Sequence, residues 1–463
     1  MKRLGLFLGF VTYAMVSVAQ STDQSALTLT LEQALEIALS ENPTIKVADQ
    51  EIEIKRYAKQ ESYSSLYPRF DATAQYQRVL AKQTMSMDLG GQTQTIKVGS
   101  DNSFNGGLSA SMPVVNAQLW ESLKVSVADV VLSIEKARSS QIDMIEQVSK
   151  AYFSTLLAKE SLLVYQRVYD NAVENNKNIK KRYEVGSVSE YDFISSNVSV
   201  QNAIPNLIEA QNSVVLALWQ LKALLGIDLK KNIDVVGTLM DYEAQMNYAH
   251  TIDQLDLSNN SSLKQLDIQE NMLESALKIA KLADVPTLSI NAAYLYTALG
   301  NDGKFFQAKA WNPYAYAGIQ LNIPIFAGNQ RRAAKRQAQL NLSNLQLQRE
   351  NAERQLQVAV VQSLNNMQTN VKKFSASSAT VSQAQRGYEI AVKRYEVGRG
   401  TLVDIDNSQL QLTQAELGRN SAIYNFLVSK IALDKILGNH EVKSSHDYVD
   451  KYEAMYEKRY GDK

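Results

Sequence analysis

The sequence predicts a fold that is mainly α with a small transmembrane β part and an internal duplication. Three observations carry that prediction: a shortage of turn residues, a motif set that recurs at a nearly constant offset, and four alternating runs of strand length. The 20 glycines and 7 prolines are about 6% of the 463 residues, against roughly 12% in average usage, so the elements are long and rarely broken. Lys181-Arg182-Tyr183-Glu184-Val185-Gly186 returns 212 residues later as Lys393-Arg394-Tyr395-Glu396-Val397-Gly398. Asp192 and Asp404 share that offset, as do Leu225-Gly226 and Leu437-Gly438. Upstream, Pro68 pairs with Pro286 and Tyr76 with Tyr294 at 218, and Pro113 with Pro324 at 211. One unit of about 210 residues written twice therefore replaces the three domains that length alone suggests.

The elements follow in order. Met1-Lys2-Arg3, the apolar run Leu4 to Val18 and the small residues up to Ala19 have the form of a secretory signal, residues 1–19,. The alternative is a single anchoring helix, but the run is short and no stop-transfer pattern follows. No later apolar stretch approaches 18 residues, so any membrane span must be made of strands closed into a barrel. Thr30-Leu31-Glu32-Gln33 has the form of a capping box,. Helical pattern runs from there to about Tyr67, with a break at Asn42-Pro43.

Four runs alternate with period two. Phe70, Ala72, Ala74 and Tyr76 follow Pro68, and Phe104, Leu108, Ala110 and Met112 precede Pro113. Leu288, Ile290, Ala292, Tyr294 and Tyr296 follow Pro286, and Ala315, Ala317, Ile319, Leu321 and Ile323 bracket Pro324 on its N-terminal side. Each run is about 10 residues, enough for a tilted transmembrane strand. Two soluble hairpins over a core would show the same alternation. Phe305, Phe306 and Trp311 suit an interfacial girdle, and the segments 81–101 and 299–311 read as polar loops,. Four strands cannot close a pore, so a membrane reading requires several copies.

After Pro113 the spacing alternates between four and three from Leu123 through Val127, Val130, Ile134 and onward to Tyr169 and Ala172. That seven-residue repeat predicts a supercoiled helix of about 68 residues, about 100 Å long. A second flank of Val131, Ile145, Tyr152, Leu156 and Leu163 gives the helix two seams and two neighbours,. The second unit repeats this helix from Gly328 to Glu396. Shorter legs are expected at about 190–225, kinked at Pro205, and at 261–284,. The resulting divisions are 20–228 for the first repeat, 229–260 for an irregular equatorial segment, 261–440 for the second repeat and 441–463 for the tail. In the tail, Tyr448, Tyr452, Tyr456 and Tyr460 recur every four residues.

Composition excludes several chemistries. With no cysteine there are no disulfides, Cys-ligated zinc, iron–sulfur clusters or Cys-linked lipid. Equal numbers of basic and acidic residues, 48 each, give no support to nucleic-acid binding. His250, His440 and His446 show no ligand spacing, and no phosphate loop or nucleophile elbow is present,. No catalytic residue, metal or cofactor is expected.

The export signal, Leu29-Thr30-Leu31-Glu32-Gln33-Ala34, Asn42-Pro43, two strand pairs and the two Arg-Tyr-Glu-Val-Gly turns, each with Asp six residues after its glycine, together resemble the TolC-type outer membrane efflux proteins. The resemblance covers nearly the whole mature chain. It implies a homotrimer with a 12-strand β-barrel, four strands per chain, set in outer-membrane lipid. Below it would hang a 12-helix α-barrel tunnel through the periplasm. It also implies two partners, a periplasmic adaptor (membrane fusion) protein and an inner-membrane pump. Two other readings stand beside it: a periplasmic coiled-coil structural or adaptor protein without a pore, and a nutrient porin.

The two turns are the candidate site. Glycine there ends a helix with a left-handed residue. By resemblance Arg182, Tyr183, Val185, Gly186 and Ser187, with Arg394, Tyr395, Val397, Gly398 and Arg399, form the tips that dock the adaptor. Ser189-x-x-Asp192 and Thr401-x-x-Asp404 fit capping boxes,. In a trimer the same carboxylates would instead form rings at a constriction, a gate built from Asp192 and Asp404 with Arg399 nearby. Such rings favour cations, and mutual repulsion would raise some of their pKa values. The chain departs from the family where Gly400 stands in place of a frequent arginine and Asn407 in place of a further aspartate.

Overall fold

The computed structural model describes residues 27–89, 92–246, 256–301 and 311–439. The signal segment, Phe305 and Phe306, the three histidines and the tyrosines after residue 440 lie outside the described residues.

The N-terminal helices are α1 (Leu31–Glu41) and α2 (Pro43–Ser64), with Thr30 and Gln33 forming the expected capping box on α1. Asn42 caps α2, whose first residue is Pro43, so the Asn-Pro break is a helix start,. Strands β2 (Arg69–Arg78), β5 (Asn102–Val115), β7 (Thr287–Gly300) and β8 (Trp311–Asn322) make one antiparallel sheet in the order β2-β5-β7-β8. Register decides what the alternation means. Phe70 opposes Ala110, Ala110 opposes Ala292, and Ala292 opposes Ala317. One step along, Leu108 opposes Tyr294 and Ile290 opposes Ile319. Opposed residues share a face, so the apolar sets of all four strands fall on one surface. Asp71, Ser109, Asn105 and Asn291 fall on the other.

Two long helices leave the sheet: α3 (Ala117–Glu184, 68 residues) and α6 (Gln330–Glu396, 67 residues). Each turns back as a 36-residue helix, α4 (Glu190–Leu225) and α7 (Leu402–Leu437). The remaining helix, α5 (Ser261–Leu282), has the 22 residues of α2. On α3 the heptad positions Leu123, Val127, Val130, Ile134, Ala137, Met144 and Val148 are buried. On the second flank Val131, Ile145, Tyr152 and Leu156 are buried, whereas Leu163 is exposed, because the central core reaches only to Leu157 on this helix. Nearer the sheet α3 packs against α2 and α5, and α5 against α6. The helix row α2-α3-α5-α6 thus follows the strand row, each helix joined in sequence to its own strand. Pro205 lies inside α4, which continues through it.

Three features depart from the sequence expectations. The segment 81–101, expected as a loop, contains a hairpin of β3 (Gln83–Leu89) and β4 (Gln92–Val98), with Met85 opposite Ile96. The segment 229–260, expected as irregular, contains β6 (Ile233–Val235) and a 3-10 helix at Leu239–Met246. Strand β6 pairs in parallel with β1 (Leu27–Leu29). This strap is pinned to α3: the buried Tyr152 hydroxyl donates to Val236 O (2.6 Å), and Lys159 reaches Asp234 (2.8 Å). Glu160 Oε1 accepts Leu239 N–H at 2.6 Å. The main core lies here, where Tyr152, Leu156, Leu221, Ile423 and Phe426 meet beneath the strap.

Candidate functional site

The two tips are closed by the same backbone chemistry. In the first, Gly186 is left-handed (φ 71°); its N–H bonds Tyr183 O (2.8 Å) and Ser187 N–H bonds Arg182 O (2.7 Å). In the second, Gly398 (φ 75°) bonds Tyr395 O (3.0 Å) and Arg399 N–H bonds Arg394 O (2.8 Å). This double bond pattern around a left-handed glycine satisfies the last helical carbonyls without a side chain. It leaves Val185 and Val397 projecting, exposed at 77% and 69%. Two bare valines, each at the turn between a long helix and its 36-residue return helix, are surfaces that folding does not use.

Behind the valines the tips pack on each other. Ile179, Ala391, Leu402 and Ile405 form a small core joined by Phe193 and Tyr395. Tyr183 stacks on Phe193 at 5.2 Å, with the rings 5° from parallel. The Arg182 guanidinium lies 5.4 Å above the Tyr395 ring and donates to Tyr395 O at 3.5 Å. Burial, helped by the nearby Asp192 charge, pushes the Tyr395 hydroxyl up, and Arg182 opposes that shift. Arg182 and Tyr395 therefore form the clasp between hairpins and Tyr183 braces the first hairpin against Phe193, while Val185, Gly186, Ser187, Val397, Gly398 and Arg399 form the outer ends.

One of the two expected capping boxes forms, at Thr401 and Asp404; at the first tip Ser189 caps α4, and the Asp192 carboxylate meets the Ser189 hydroxyl rather than its backbone N–H. Thr401 N–H donates to Asp404 Oδ2 (2.9 Å) and Asp404 N–H to Thr401 Oγ1 (3.2 Å), a reciprocal box. The Thr401 backbone N–H and hydroxyl hold the Asp404 carboxyl below its usual range, with Arg394 adding attraction. At the first tip the Ser189 hydroxyl accepts Asp192 N–H (3.1 Å) and donates to Asp192 Oδ2 (2.9 Å). Arg399 gives its carbonyl to Arg394 Nη2 (3.3 Å), and its guanidinium forms no ion pair among the described residues. Within one chain Asp404 is thus lowered by its cap; the raised values expected of a carboxylate ring concern contacts between chains.

Sequence reasoning missed the seam above the tips. Ser199 on α4 donates to Asp406 on α7 (3.1 Å), and Asn171 on α3 to Gln409 (2.9 Å). Arg167 meets Glu416 at 2.9 Å. Loss of water in that seam raises the Asp406 carboxyl, with Ser199 compensating in part. No local motif marks these residues; their spacing along the seam was the only available signal. Among the described residues no three or more metal-binding side chains cluster, and no helix is long and apolar enough to cross a membrane.

Long helical hairpins hung beneath a short sheet with one apolar and one polar face define the class of outer-membrane channels with helical extensions. The outer membrane efflux protein family matches residues 34–227 and 253–439, and the chain belongs to it. Outer membrane protein TolC of Escherichia coli is 21% identical over 348 residues, covering 73% of this chain and 70% of TolC. Alkaline protease secretion protein AprF of Pseudomonas aeruginosa is 23% identical over 411 residues, covering 88% and 84%. In fold, the chain is similar to the CmeC outer membrane channel of Campylobacter jejuni, with a TM-score of 0.73, 18% identity and 97% of each chain covered.

Proposed function

We propose that three copies of this chain close a 12-strand barrel in the outer membrane and a 12-helix tunnel below it, forming a passive exit duct for an efflux or secretion system. The observation that carries the reading is the pair of unpaired sheet edges. The order β2-β5-β7-β8 leaves β2 and β8 open, the sheet's outer face is apolar, and an open edge is not tolerated in lipid. Identical copies joined β8 to β2 remove every edge. The internal duplication, with units of 20–228 and 261–440, supplies two strand pairs and two hairpins per chain, so three chains present six tips.

The outer ends at Val185, Gly186 and Ser187, and at Val397, Gly398 and Arg399, are the surface offered to a periplasmic adaptor, with an inner-membrane pump beyond. Asp192 and Asp404 add a gate if the tips converge on the axis, where rings of carboxylates select cations. Direction and energy come from the pump, since no nucleotide-binding motif stands in the sequence. Sizing of detergent-extracted protein and recording in a planar bilayer test the reading together. A trimer with channel activity is expected; a water-soluble monomer without conductance would refute it in favour of a pore-free coiled-coil protein.

A further inference from the structure

We infer that the collar where the sheet meets the helix row binds anionic phospholipid on the helix side of the membrane, with Ile325 and Phe326 entering the acyl layer and Arg332 and Arg336 holding headgroup phosphates. This rests on the membrane reading of the sheet and deepens it by naming the lipid.

The apolar face of the sheet does not stop where β8 ends. Ile319 and Leu321 are exposed on that face, and after Asn322 the alternation runs on in sequence through Ile323 and Ile325. Ile325 is 90% exposed and Phe326 85%. Two large apolar side chains therefore project side by side from the joint, with nothing among the described residues over them. The strand line they extend is the one set in lipid, and a bilayer covers them where water would not.

That pair fixes the height of the interface. Helix α6 starts at Gln330, shortly after Phe326. Its first two turns rise about 10 Å, slightly more than the headgroup layer of about 5–8 Å on each side of a bilayer. Those turns carry only basic charge. From Trp311 to Arg349 the chain holds Arg331, Arg332, Lys335, Arg336 and Arg349 and no acidic residue. The helix macrodipole opposes positive charge in a first turn, and Asn329 supplies no side-chain cap. Asp284, just past the end of α5, engages both Arg331 (3.0 Å) and Lys335. Arg332 and Arg336 lie one turn apart on a neighbouring face, are exposed, and form no ion pair among the described residues. Arg336 donates to Gln339 Oε1 at 3.4 Å. A merely solvated face would mix both signs, as the first turns of α3 do with Glu121 beside Lys124.

The duplication supplies a second observation at the same height. At the offset of 212, Arg332 corresponds to Trp120 on α3, and at 218 Lys281 on α5 corresponds to Tyr63 on α2. Trp120 is 49% exposed, and Tyr63 and Lys281 are exposed as well. Tryptophan and tyrosine on one hand, and long-stemmed cations on the other, are the side chains that suit a headgroup layer. The first repeat fills this level with aromatics and the second with cations. What the two have in common is therefore the interface, and not a contact within the protein. The excess of cations makes the partner anionic, and phosphate oxygens match the guanidinium fork.

The chain has three tryptophans, Trp120, Trp219 and Trp311, few enough to move the fluorescence to the collar. Full-length protein carrying Trp120→Phe, Trp219→Phe and Trp311→Phe together with Phe326→Trp is reconstituted into phosphatidylcholine vesicles. The vesicles contain a fixed fraction of either brominated phosphatidylglycerol or brominated phosphatidylcholine, whose bromines quench tryptophan on contact. Stronger quenching by the phosphatidylglycerol is expected, an enrichment of about fivefold per arginine at low salt that falls at high salt. Adding Arg332→Gln and Arg336→Gln is expected to abolish that preference while quenching by brominated phosphatidylcholine persists. Equal quenching by the two lipids, or a preference that survives the loss of both arginines, overturns the headgroup site. No quenching by either lipid in vesicles that still conduct overturns the whole collar and leaves the barrel reading standing. Vesicles that take up no protein and never conduct overturn both.

Discussion

Gly438→Ala should destabilise the protein well beyond the chemically identical change Gly398→Ala. Both glycines follow a 36-residue or 67-residue helix with nearly the same backbone, φ 68° at Gly438 and 75° at Gly398. A side chain in that left-handed region costs about 1–2 kcal/mol, and both variants share that cost. They differ in what the new methyl group meets. At Gly398 nothing lies within 4 Å, whereas at Gly438 a Cβ would stand 2.2 Å from Asn259 O and 2.7 Å from its carbonyl carbon. Backbone at that distance has to move, which adds about 1–3 kcal/mol. The movement also pulls on Asn260 Nδ2, which donates to Ile436 O at 2.7 Å, a bond worth about 1 kcal/mol. The expectation is about 1–2 kcal/mol for Gly398→Ala and about 3–6 kcal/mol for Gly438→Ala. Thermal unfolding in detergent, followed by circular dichroism, gives the rank order. Amide exchange at the end of α7 and the start of α5 locates the loss. Equal shifts for the two variants, or exchange that rises at the tip and not at Asn260, would refute the packing argument.

Further expectations concern the strap, the tips and pH. Tyr152→Phe removes the hydroxyl that donates to Val236 O and with it a hydrogen bond worth about 1 kcal/mol,; faster proteolysis within 229–246 is the readout. Burial raises the Glu160 carboxyl, with the Leu239 N–H and Arg419 opposing. The Leu239 bond itself favours the charged carboxylate, but burial outweighs it, so the folded state loses stability as pH rises through the elevated value and the buried group must carry charge,. Glu160→Gln, which keeps the acceptor, should flatten that pH dependence of the melting temperature, and Glu160→Ala should lower the temperature at every pH. Asp404 carries the opposite sign: its depressed pKa means the cap on α7 is intact above the usual carboxylate range and lost as pH falls through the lowered value. Exchange of the Thr401 amide should accelerate there. If the carboxylates gate the duct, Asp404→Ala raises conductance and relieves block by divalent cations; unchanged conductance and blockade would sink the gate.

What the sequence disclosed was set by the range over which each signal acts. The heptads of α3 and the alternation of β2, β5, β7 and β8 are local and repeat many times, so the helix ends and strand cores fall within a few residues of the expected places. Strands β1 and β6 were illegible for the opposite reason. They have three residues each, too few for a period, and are held by a tyrosine on α3 rather than by their own pattern. The hairpin β3–β4 was hidden by glutamine, threonine and serine, which read as loop although Met85, Met87, Ile96 and Val98 alternate along it. At the tips the glycines were legible because a left-handed turn has few other solutions. The partners of Asp406 and Glu416 lie on other helices, and no local motif reports them.

The Asn-Pro break shows how far a local reading goes before the fold adds a second meaning. In the sequence, Asn42-Pro43 and Leu225-Gly226 are separate punctuation marks, one starting a helix and one ending another. In the structure they are one joint. Asn42 Oδ1 accepts Thr44 N–H (2.7 Å) to cap α2, while its Nδ2 donates to Leu224 O (2.7 Å), a carbonyl in the last turn of α4. Gly226 brings its Cα side so close that a Cβ would meet Asn42 Cα at 2.8 Å. Asn260 does the same for α5 and Ile436 of α7. One amide therefore satisfies an orphan donor and an orphan acceptor at once, and butts a helix that ends against a helix that begins. A serine or aspartate would cap the beginning helix as well, but neither has both the acceptor and the amide donors that this joint uses. Asn42→Asp and Asn260→Asp should thus retain the cap and lose the joint, separating two roles that a change to alanine would remove together.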